Sequence, residues 1–293
     1  MPELPEVETI RRGLVAKIKG LKIDKVEVLL AKQFKGNPKE VEGATVVDVK
    51  RRGKVTIVEL DNGKSLLIHL KMTGQLVFAP SSKIKDQRSK LILERPIPFG
   101  GGNELPAKST HVIIHFMDGS RLFFNDSRQF GWFKIIKNSE LRIADEIRRL
   151  GVEPFDKEFT VEYLQKILAK SNKAIKLILM DQEKIAGVGN IYANDALWEA
   201  GILPTRSAKS LKNQETEKLR EAIIKVLNEG LKYGGSTGGD EAFINVEGQP
   251  GNYQHHFRVY QREGEKCLRN DGGIIKRITL SGRGTFYCPA CQR

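Results

Sequence analysis

The sequence predicts a multidomain α+β protein: an N-terminal β-sandwich with a leading helix, a helical middle segment and a C-terminal segment of short strands around cysteines. Apolar residues repeat at helical spacing near the start, strand and turn signals dominate up to about residue 150, and the period then returns to 3.6. All the cysteines lie near the C-terminal end, at Cys267, Cys288 and Cys291. An odd number of clustered cysteines favours a metal site over a disulfide framework.

The first predicted element is a buried helix from Glu6 to Lys19. Its apolar positions recur at helical spacing, at Val7, Ile10, Leu14 and Ile18. Acidic residues lie in the first turn, and Gly20 stands just past the last turn, where helices commonly end. We therefore expect this helix to anchor the residues before it to the body of the first domain.

The next part of the chain reads as strands. Two hairpin signals are present, Val55–Leu60 with Ser65–Leu70 and His111–Met117 with Ser120–Phe124, each pair separated by an Asp- and Gly-containing turn. They predict a sheet-on-sheet domain. The stretch from Phe78 to Thr110, rich in Lys, Pro and Gly, is predicted to be a long surface loop, either a tolerated insertion or a basic arm that touches DNA.

The second half of the chain is predicted to be helical. Residues 151–155 read as a linker, and the predicted helices begin after a Thr160 cap, at Ile175, at Asn190 and at Leu211. A Gly-, Ser- and Asp-rich flexible loop is expected over 235–251, and short strands follow around the cysteines. The predicted domains are residues 1–150, 156–255 and 257–293.

The bulk charge indicates a polyanionic partner. Lysine and arginine total 49 against 36 acids, which gives a formal charge of +13 and a pI of about 9.6. This excess suits nucleic acid, although a merely basic surface is the plain alternative. The sequence has no apolar run of membrane-spanning length and no secretory signal pattern, so we expect a cytoplasmic monomer without a membrane partner.

The first residues offer a chemical function. Removal of Met1 leaves Pro2 with a free secondary amine, and α-amino groups titrate near pH ~8, so a neutral fraction exists at physiological pH. A secondary amine condenses with a sugar aldehyde to a cationic iminium, which favours elimination. Glu3 is placed to move protons. The alternative is an ordinary proline before a helix.

A glycine turn offers a phosphate site. Gly187 and Gly189 permit a tight turn before Asn190, which is expected to cap the following helix and leave backbone N–H groups pointing outward. Lys176 is expected to close on the same anion. A bare Gly-x-Gly turn is more often structural than functional, so the specificity lies in the longer string around it, Gly187–Ala193.

Three motifs together resemble the bacterial formamidopyrimidine-DNA glycosylase family: Met1–Thr9, Gly187–Ala193 and Gly282–Gln292. The resemblance implies a β-sandwich, a helix-two-turn-helix domain and a C-terminal zinc-finger hairpin. It also implies a bifunctional glycosylase and AP lyase of base excision repair, acting on double-stranded DNA with oxidised purines or abasic sites. The implied route is a Schiff base on the N-terminal proline and β,δ-elimination, without a redox cofactor. An endonuclease VIII-like enzyme for oxidised pyrimidines and a non-catalytic DNA-damage binder are the alternatives.

The resemblance also implies roles for individual residues. Pro2 matches the nucleophile, Glu3 the proton-transferring acid, and Lys54 the lysine that contacts phosphate at the damaged nucleotide. The residues that match the filling of the gap left by the everted base are Met72, Arg128 and Phe130. Those that match the phosphate clamp are Lys176, Asn190 and Arg283. Without the resemblance, Lys54 reads as a solvated charge, and Met72 and Phe130 read as core residues.

The predicted finger departs from the family. The family uses two Cys-x-x-Cys pairs, whereas this chain has one cysteine in the first pair, Cys267, and a carboxylate, Asp271, at the position that the spacing assigns to the second. The resemblance therefore implies one structural zinc ion held by Cys267, Asp271, Cys288 and Cys291, since zinc accepts carboxylate oxygen in tetrahedral sites. Asn270 is a poorer, neutral ligand, and a metal-free finger held by packing is the alternative. We expect weaker zinc retention than four thiolates give.

Overall fold

The computed structural model describes residues 1–84, 90–97, 102–238 and 243–293. Within them the chain divides into two compact units. The first unit comprises Met1–Arg148 and Tyr233–Asn252, and the second comprises Arg149–Lys232 and Tyr253–Arg293. None of the helices in the described ranges combines the length and apolarity that a bilayer span requires.

The first helix of the first unit, α1, spans Leu4–Ile18. It begins two residues earlier than predicted, because Glu3 has an extended backbone and Pro5 is accepted in the first turn, where its missing N–H costs no hydrogen bond. The four positions predicted to be apolar and buried, Val7, Ile10, Leu14 and Ile18, are buried, and Leu4, before the predicted start, is buried with them. The helix is therefore confirmed, and its start lies immediately after Glu3.

Two sheets form the body of the first unit. The four strands of the first are β1 (Ile23–Val28), β6 (Gly74–Ala79), β9 (Thr110–Phe116) and β10 (Arg121–Asp126). The five strands of the second are β2 (Phe34–Lys35), β3 (Val46–Arg52), β4 (Val55–Leu60), β5 (Lys64–His69) and β11 (Trp132–Lys137). The strand order is β1-β9-β10-β6 in the first sheet and β2-β11-β5-β4-β3 in the second.

The core of the first unit lies between these sheets. One buried cluster joins Ile10 and Leu14 of α1 to Leu66 of the five-stranded sheet and to Val112 and Phe124 of the four-stranded sheet. Both predicted hairpins are present, β4 with β5 and β9 with β10. The predicted sheet-on-sheet architecture with a leading helix is confirmed.

The predicted surface loop over Phe78–Thr110 is wrong for most of the described residues. Two strands, β7 (Leu91–Ile97) and β8 (Gly102–Leu105), pair there in antiparallel fashion. Leu91, Leu93 and Leu105 are buried in a second apolar cluster. Their alternation is a strand signal that the surrounding Lys, Pro and Gly residues conceal. Residues 85–89 and 98–101 of this stretch lie outside the described residues.

The predicted flexible loop over 235–251 also needs correction. Phe243, Ile244 and Val246 are buried in the apolar clusters of the first unit. The N–H of Phe78 donates to the carbonyl of Val246 at 2.7 Å, so this segment extends the hydrogen bonding of β6. Apolar burial therefore fixes the segment on the sandwich; its residues 239–242 lie outside the described residues.

A short helix ends the first part of the first unit, and four helices build most of the second unit as described. Asp145–Arg148 forms α2, followed in the second unit by α3 (Val161–Ala169), α4 (Ile175–Leu179), α5 (Asn190–Ala200) and α6 (Asn213–Lys232). The predicted Thr160 cap is confirmed, because its hydroxyl accepts from the N–H of Tyr163 at 3.1 Å. A two-stranded hairpin, β12 (Lys276–Leu280) with β13 (Arg283–Tyr287), completes the second unit.

Candidate active site

The N-terminal dipeptide of interest lies at the buried start of α1. Pro2 is buried, and Glu3 is only 2 % exposed. The backbone N–H of Glu3 donates to Glu6 Oε2 at 2.8 Å, and Glu6 Oε1 accepts from the N–H of Ser236 at 2.9 Å. Glu6 therefore joins the start of α1 to the segment that precedes residues 239–242.

The approach of that segment requires a glycine. Gly235 has a φ of +84°, and a Cβ added to it would lie 2.9 Å from Glu6 Cγ. Both the backbone conformation and the close contact exclude an ordinary L side chain. The carboxylate of Glu6 is thus held between two backbone N–H groups, which keeps the residues beside Pro2 from fraying.

Lys54 lies in the turn between β3 and β4 and is 5 % exposed. Its turn is tied to α1 through Arg51, which donates to Glu8 at 3.2 Å and to the carbonyl of Gly53 at 2.9 Å. Burial raises the pKa of Glu8, but hydrogen bonds from Arg11 and Arg12 outweigh this and the pKa is lowered to about 2. Glu8 therefore carries full charge at neutral pH and fixes the Lys54 turn against α1.

His69 stands beside Lys54 and was not singled out from the sequence. It ends β5 and pairs with Val55, the residue after Lys54. Burial, assisted by the charges of Lys71 and Lys54, lowers the pKa of His69 to about 3. Its Nδ1 accepts from the N–H of Lys71 at 3.0 Å, so the neutral ring carries its hydrogen on Nε2. The feature of the sequence that could have indicated a role for His69 is its position three residues before Met72.

The three residues matched to gap filling lie in two turns of the first unit. Met72 is half-buried in the turn between β5 and β6, while Arg128 and Phe130 are exposed between β10 and β11. The ring of Phe130 is 54 % exposed, and the Arg128 guanidinium lies 5.3 Å from its centroid. Phe130 is therefore no core residue, and an exposed aromatic ring beneath a cation is a suitable group for contacting bases.

The second unit holds Lys176 and Arg283 close together. Lys176 is 0 % exposed, and its Nζ donates to the carbonyl of Gly284 at 2.8 Å and to the hydroxyl of Thr285 at 2.7 Å. Arg283, the first residue of β13, is exposed. The Lys176 ammonium is thus bonded to the strand that presents Arg283 to solvent.

The predicted cap at Asn190 is wrong by one residue. Gly189 is the N-cap and has no side chain to accept a hydrogen bond, while Asn190 is already helical. Asn194, one turn later, donates to the Asn190 carbonyl at 2.6 Å. The preceding turn is held by Gln182, which accepts from Gly187 N–H at 2.9 Å and donates to Val188 at 2.7 Å. The half-buried Asn190 side chain therefore lies at the first turn of α5.

Four potential metal ligands converge at the C-terminal end of the second unit. One ligand atom from each of Cys267, Asp271, Cys288 and Cys291 lies within 4.8 Å of the others. The Sγ atoms of Cys267 and Cys291 are 3.9 Å apart, and Cys288 Sγ lies 3.5 Å from an Asp271 oxygen. Ligands at zinc distances in a tetrahedron are separated by about 3.5–3.8 Å, so these two pairs have the spacing of such a site.

Local hydrogen bonds keep Asp271 charged and oriented. The N–H of Gly273 donates to Asp271 at 2.8 Å and, as the largest contribution, lowers the pKa of that carboxyl to about 2. Gly273 has no space for a Cβ, which would lie 2.4 Å from Cys288 Sγ. A charged carboxylate and three sulfurs therefore face one point, which is the arrangement a divalent cation requires.

Most of the chain matches two profiles of one protein family. The family profile described as the formamidopyrimidine-DNA glycosylase N-terminal domain matches residues 1–133, and that of the formamidopyrimidine-DNA glycosylase H2TH domain matches residues 150–241. Curated proteins named formamidopyrimidine-DNA glycosylase are similar over the full chain. That of Pelotomaculum thermopropionicum is 42 % identical, covering 100 % of this chain and 99 % of its own. That of Carboxydothermus hydrogenoformans is 40 % identical, with 100 % of both covered.

Solved structures agree over the same length. The wild-type Lactococcus lactis Fpg (MutM), in complex with DNA containing an oxidised pyrimidine, superposes with a TM-score of 0.84 at 33 % identity, with 100 % of both chains covered. The MutM (Fpg) protein of Thermus thermophilus superposes with a TM-score of 0.84 at 34 % identity, covering 99 % of this chain and 98 % of its own.

Proposed function

The chain belongs to the formamidopyrimidine-DNA glycosylase family, DNA glycosylases of base excision repair, and from this premise we propose that it excises oxidised purines and then cleaves the DNA strand. The proposed substrates are 8-oxoguanine and formamidopyrimidines in duplex DNA, together with abasic sites. The observation that carries the proposal is the buried Glu3 carboxyl immediately after Pro2, at the fixed start of α1.

The proposed chemistry begins at the terminus. Once Met1 has been removed, the Pro2 nitrogen attacks C1′ of the damaged nucleotide, and the bond from C1′ to the base breaks as the base leaves with a proton. Glu3 protonates the ring oxygen, the sugar opens, and Pro2 is left as an iminium on C1′. Loss of a C2′ proton expels the 3′ phosphate, a second elimination expels the 5′ phosphate, and water releases the sugar fragment from Pro2.

The other residues of the first unit position the DNA in this proposal. Lys54 pairs with a phosphate of the damaged nucleotide, and the neutral His69 beside it offers an N–H donor rather than a second cation. Met72, Arg128 and Phe130 fill the gap left by the everted base. Chemistry at C1′ requires this eversion, and apolar wedges with a cation stabilise the opened stack.

The second unit supplies phosphate contacts in this proposal. Arg283 is exposed and contacts phosphate directly, and Asn190 contacts phosphate from the first turn of α5. Lys176 serves the same clamp through the hairpin, since its buried ammonium bonds to the two residues after Arg283. Phosphate contacts of this kind make DNA binding fall steeply with salt.

We further propose that Cys267, Asp271, Cys288 and Cys291 hold one zinc ion. When bound, zinc supplies a structural cross-link and takes no part in the reaction. The four residues come from the two segments that flank the hairpin β12–β13, so holding them together fixes the base of the strand that carries Arg283. The domains proposed for these functions are residues 1–150, 156–255 and 257–293, with Tyr233–Asn252 of the second range packed in the first compact unit.

A panel of lesion-containing duplexes tests the proposal. Single-turnover excision is measured on 8-oxoguanine, a formamidopyrimidine, an oxidised pyrimidine and an undamaged duplex. We expect the two purine lesions to be excised fastest and the strand to be cut with phosphate on both sides of the gap. A preference for the oxidised pyrimidine would indicate an endonuclease VIII-like specificity, and binding without excision of any lesion would indicate a non-catalytic binder.

A further inference from the structure

Asp126, the last residue of β10, has a fully buried carboxylate, 0 % exposed, that no step of the proposed reaction uses. It accepts hydrogen bonds from three separate parts of the first unit. The donors are the hydroxyl of Thr73, the side-chain amide of Gln33 at 2.8 Å and the backbone N–H of Gly131 at 2.7 Å. A buried charge is stable only with such a full set of donors.

Thr73 connects the Asp126 carboxylate to the turn between β10 and β11. Its hydroxyl donates to Asp126 and accepts from the backbone N–H of Arg128 at 3.0 Å. It therefore joins the turn that carries Met72 to the turn that carries Arg128 and Phe130. These hydrogen bonds involve Arg128 itself, Thr73, which follows Met72, and Gly131, which follows Phe130.

The far side of the second turn is held by the same carboxylate. A Cβ added to Gly131 would lie 3.0 Å from Asp126 Oδ2 and 2.6 Å from the Phe124 ring, so the backbone approaches closely only because a glycine is there. Gln33 donates to the Gly131 carbonyl at 3.0 Å and thereby closes a second contact. Between these contacts Gln129 has a φ of 58°, a left-handed conformation that surrounding structure has to maintain.

We propose that Asp126 is a positioning residue for duplex opening, which holds the Met72 turn and the Arg128–Phe130 turn in one geometry through Thr73 and Gly131. The inference rests on the proposed function, since it assumes that these three side chains enter the DNA. Separate, mobile turns would each lose conformational entropy on insertion, whereas a common buried anchor orders them before DNA arrives. Asp126 acts through the backbone of both turns and does not contact the reacting atoms.

The test uses two substitutions at Thr73 that differ in one respect. Thr73→Val keeps the branched shape and removes the hydroxyl, and Thr73→Ser keeps the hydroxyl. Asp126→Asn is the second variant, because its amide nitrogen would meet either the Thr73 hydroxyl, which donates to one oxygen of Asp126, or the Gln33 and Gly131 N–H groups, which donate to the other. Ser65→Ala is the matched control: Ser65 is also buried and donates to Asn138 at 2.6 Å, but it belongs to β5, away from both turns.

Two substrates separate positioning from overall stability. The first is an 8-oxoguanine duplex with 2-aminopurine opposite the lesion, whose fluorescence reports the loss of stacking when side chains enter the gap. The second is a single-stranded oligonucleotide with a preformed abasic site, which requires neither eversion nor gap filling. Circular dichroism and thermal unfolding confirm that each variant is folded.

We expect Thr73→Val and Asp126→Asn to slow excision from the duplex about tenfold or more, as misplaced groups do, and to reduce the fluorescence step. The single-stranded abasic site requires neither eversion nor gap filling, so misplaced turns should not affect it. We expect each variant to cleave it at a rate within about twofold of the unsubstituted protein's rate. Thr73→Ser and Ser65→Ala keep the original ratio of the two rates. A parallel fall on both substrates, or equal effects of Val and Ser at position 73, would overturn the inference. If the unsubstituted protein cleaves neither substrate, the proposed function itself fails.

Discussion

The two ends of the chain hold their candidate functional groups by different physical means. At the N terminus, Pro2 and Glu3 lead directly into α1, whose apolar face packs into a core lined by both large sheets. At the C terminus, Arg283 begins a strand of a two-stranded sheet. The groups that anchor this hairpin include polar ones: the Lys176 ammonium, the Asn194 side chain and the cysteine–aspartate cluster.

This difference indicates where single substitutions should act. Apolar burial is spread over many side chains, so loss of one polar group near Glu3 leaves α1 in place and changes the chemistry alone. Most residues of the two hairpin strands are exposed or half-buried, so little apolar burial replaces a lost polar anchor, and loss of one ligand there should displace Arg283. The comparison therefore predicts chemical defects at the first end and DNA-binding defects at the second.

The largest expected effect is at the N terminus, from Glu3→Gln. Removal of a positioned proton-transfer group lowers excision by about 10²–10⁴-fold. Affinity for an 8-oxoguanine duplex should stay within about twofold, because the charge removed is not one of the phosphate contacts. Single-turnover excision and fluorescence anisotropy measure the two quantities. Equal losses of excision and affinity would mean that Glu3 has a structural role. The predicted restriction of N-terminal defects to the chemical step would then be wrong.

The second effect is at the C terminus, from Asp271→Ala and Asp271→Cys. Loss of a direct ligand should reduce zinc affinity by more than the roughly 10–100-fold that changes around a metal site cause. DNA affinity should fall with it. Asp271→Cys should retain zinc more firmly than the original chain, because thiolate is the softer ligand.

Competition with a coloured chelator and metal analysis measure zinc retention in these variants, and Glu263→Ala, an exposed acid nearby, is the control. Unchanged zinc retention in Asp271→Ala would show that Asp271 is no ligand. Full DNA affinity in a zinc-free protein would show that packing holds the hairpin and that the two ends do not differ as proposed.

The smallest expected effect concerns Glu8, which ties the Lys54 turn to α1. Its folded pKa of about 2 is below the ordinary value of 4.5, so its stabilising contribution is present above pH 4.5 and is lost as the pH falls towards 2. After allowance for solvent screening, Glu8→Gln should cost about 1 kcal/mol at pH 7, or about 3 °C in Tm.

Thermal unfolding of this variant at pH 7, 5 and 3 shows whether the difference from the original chain shrinks with acid. Glu217→Gln, on an exposed face of α6, is the control. A difference that is the same at all three pH values would show that the Glu8 charge does not stabilise the fold. Excision by Glu8→Gln should remain far above that of Glu3→Gln, which places the chemistry at residue 3 rather than in the helix as a whole.

The sequence predicted the features whose signal is local. The 3.6 period placed α1 within two residues, and the Asp-Gly turns placed the two hairpins, because period and turn chemistry are read from adjacent residues. It missed β7 and β8, because the alternating Leu91 and Leu93 are followed at once by Glu, Arg and Pro, and β8 contributes a single leucine, Leu105. It also missed the burial of Phe243 and Val246, which depends on strands distant in the chain.

The polar anchors were missed for the same reason. Lys176 reaches an acceptor 108 residues away, and Asp126 accepts from residues 53 and 93 positions away, so no local pattern reveals either contact. The Asn190 cap failed by one residue, because the point at which the backbone becomes helical was set by Gly189. Asp271 was identified through the resemblance, from the cysteine spacing of the family, and its ligand atom lies with the three sulfurs.

The most direct test of the central claim is to locate the covalent intermediate. Borohydride is added during the reaction with an 8-oxoguanine duplex, and the adduct is digested and mapped by mass spectrometry. We predict one adduct, on the nitrogen of Pro2 in chains that have lost Met1, and no adduct when that nitrogen is blocked. An adduct on a lysine, or an undiminished yield from the blocked protein, would contradict the assignment of Pro2 as the nucleophile.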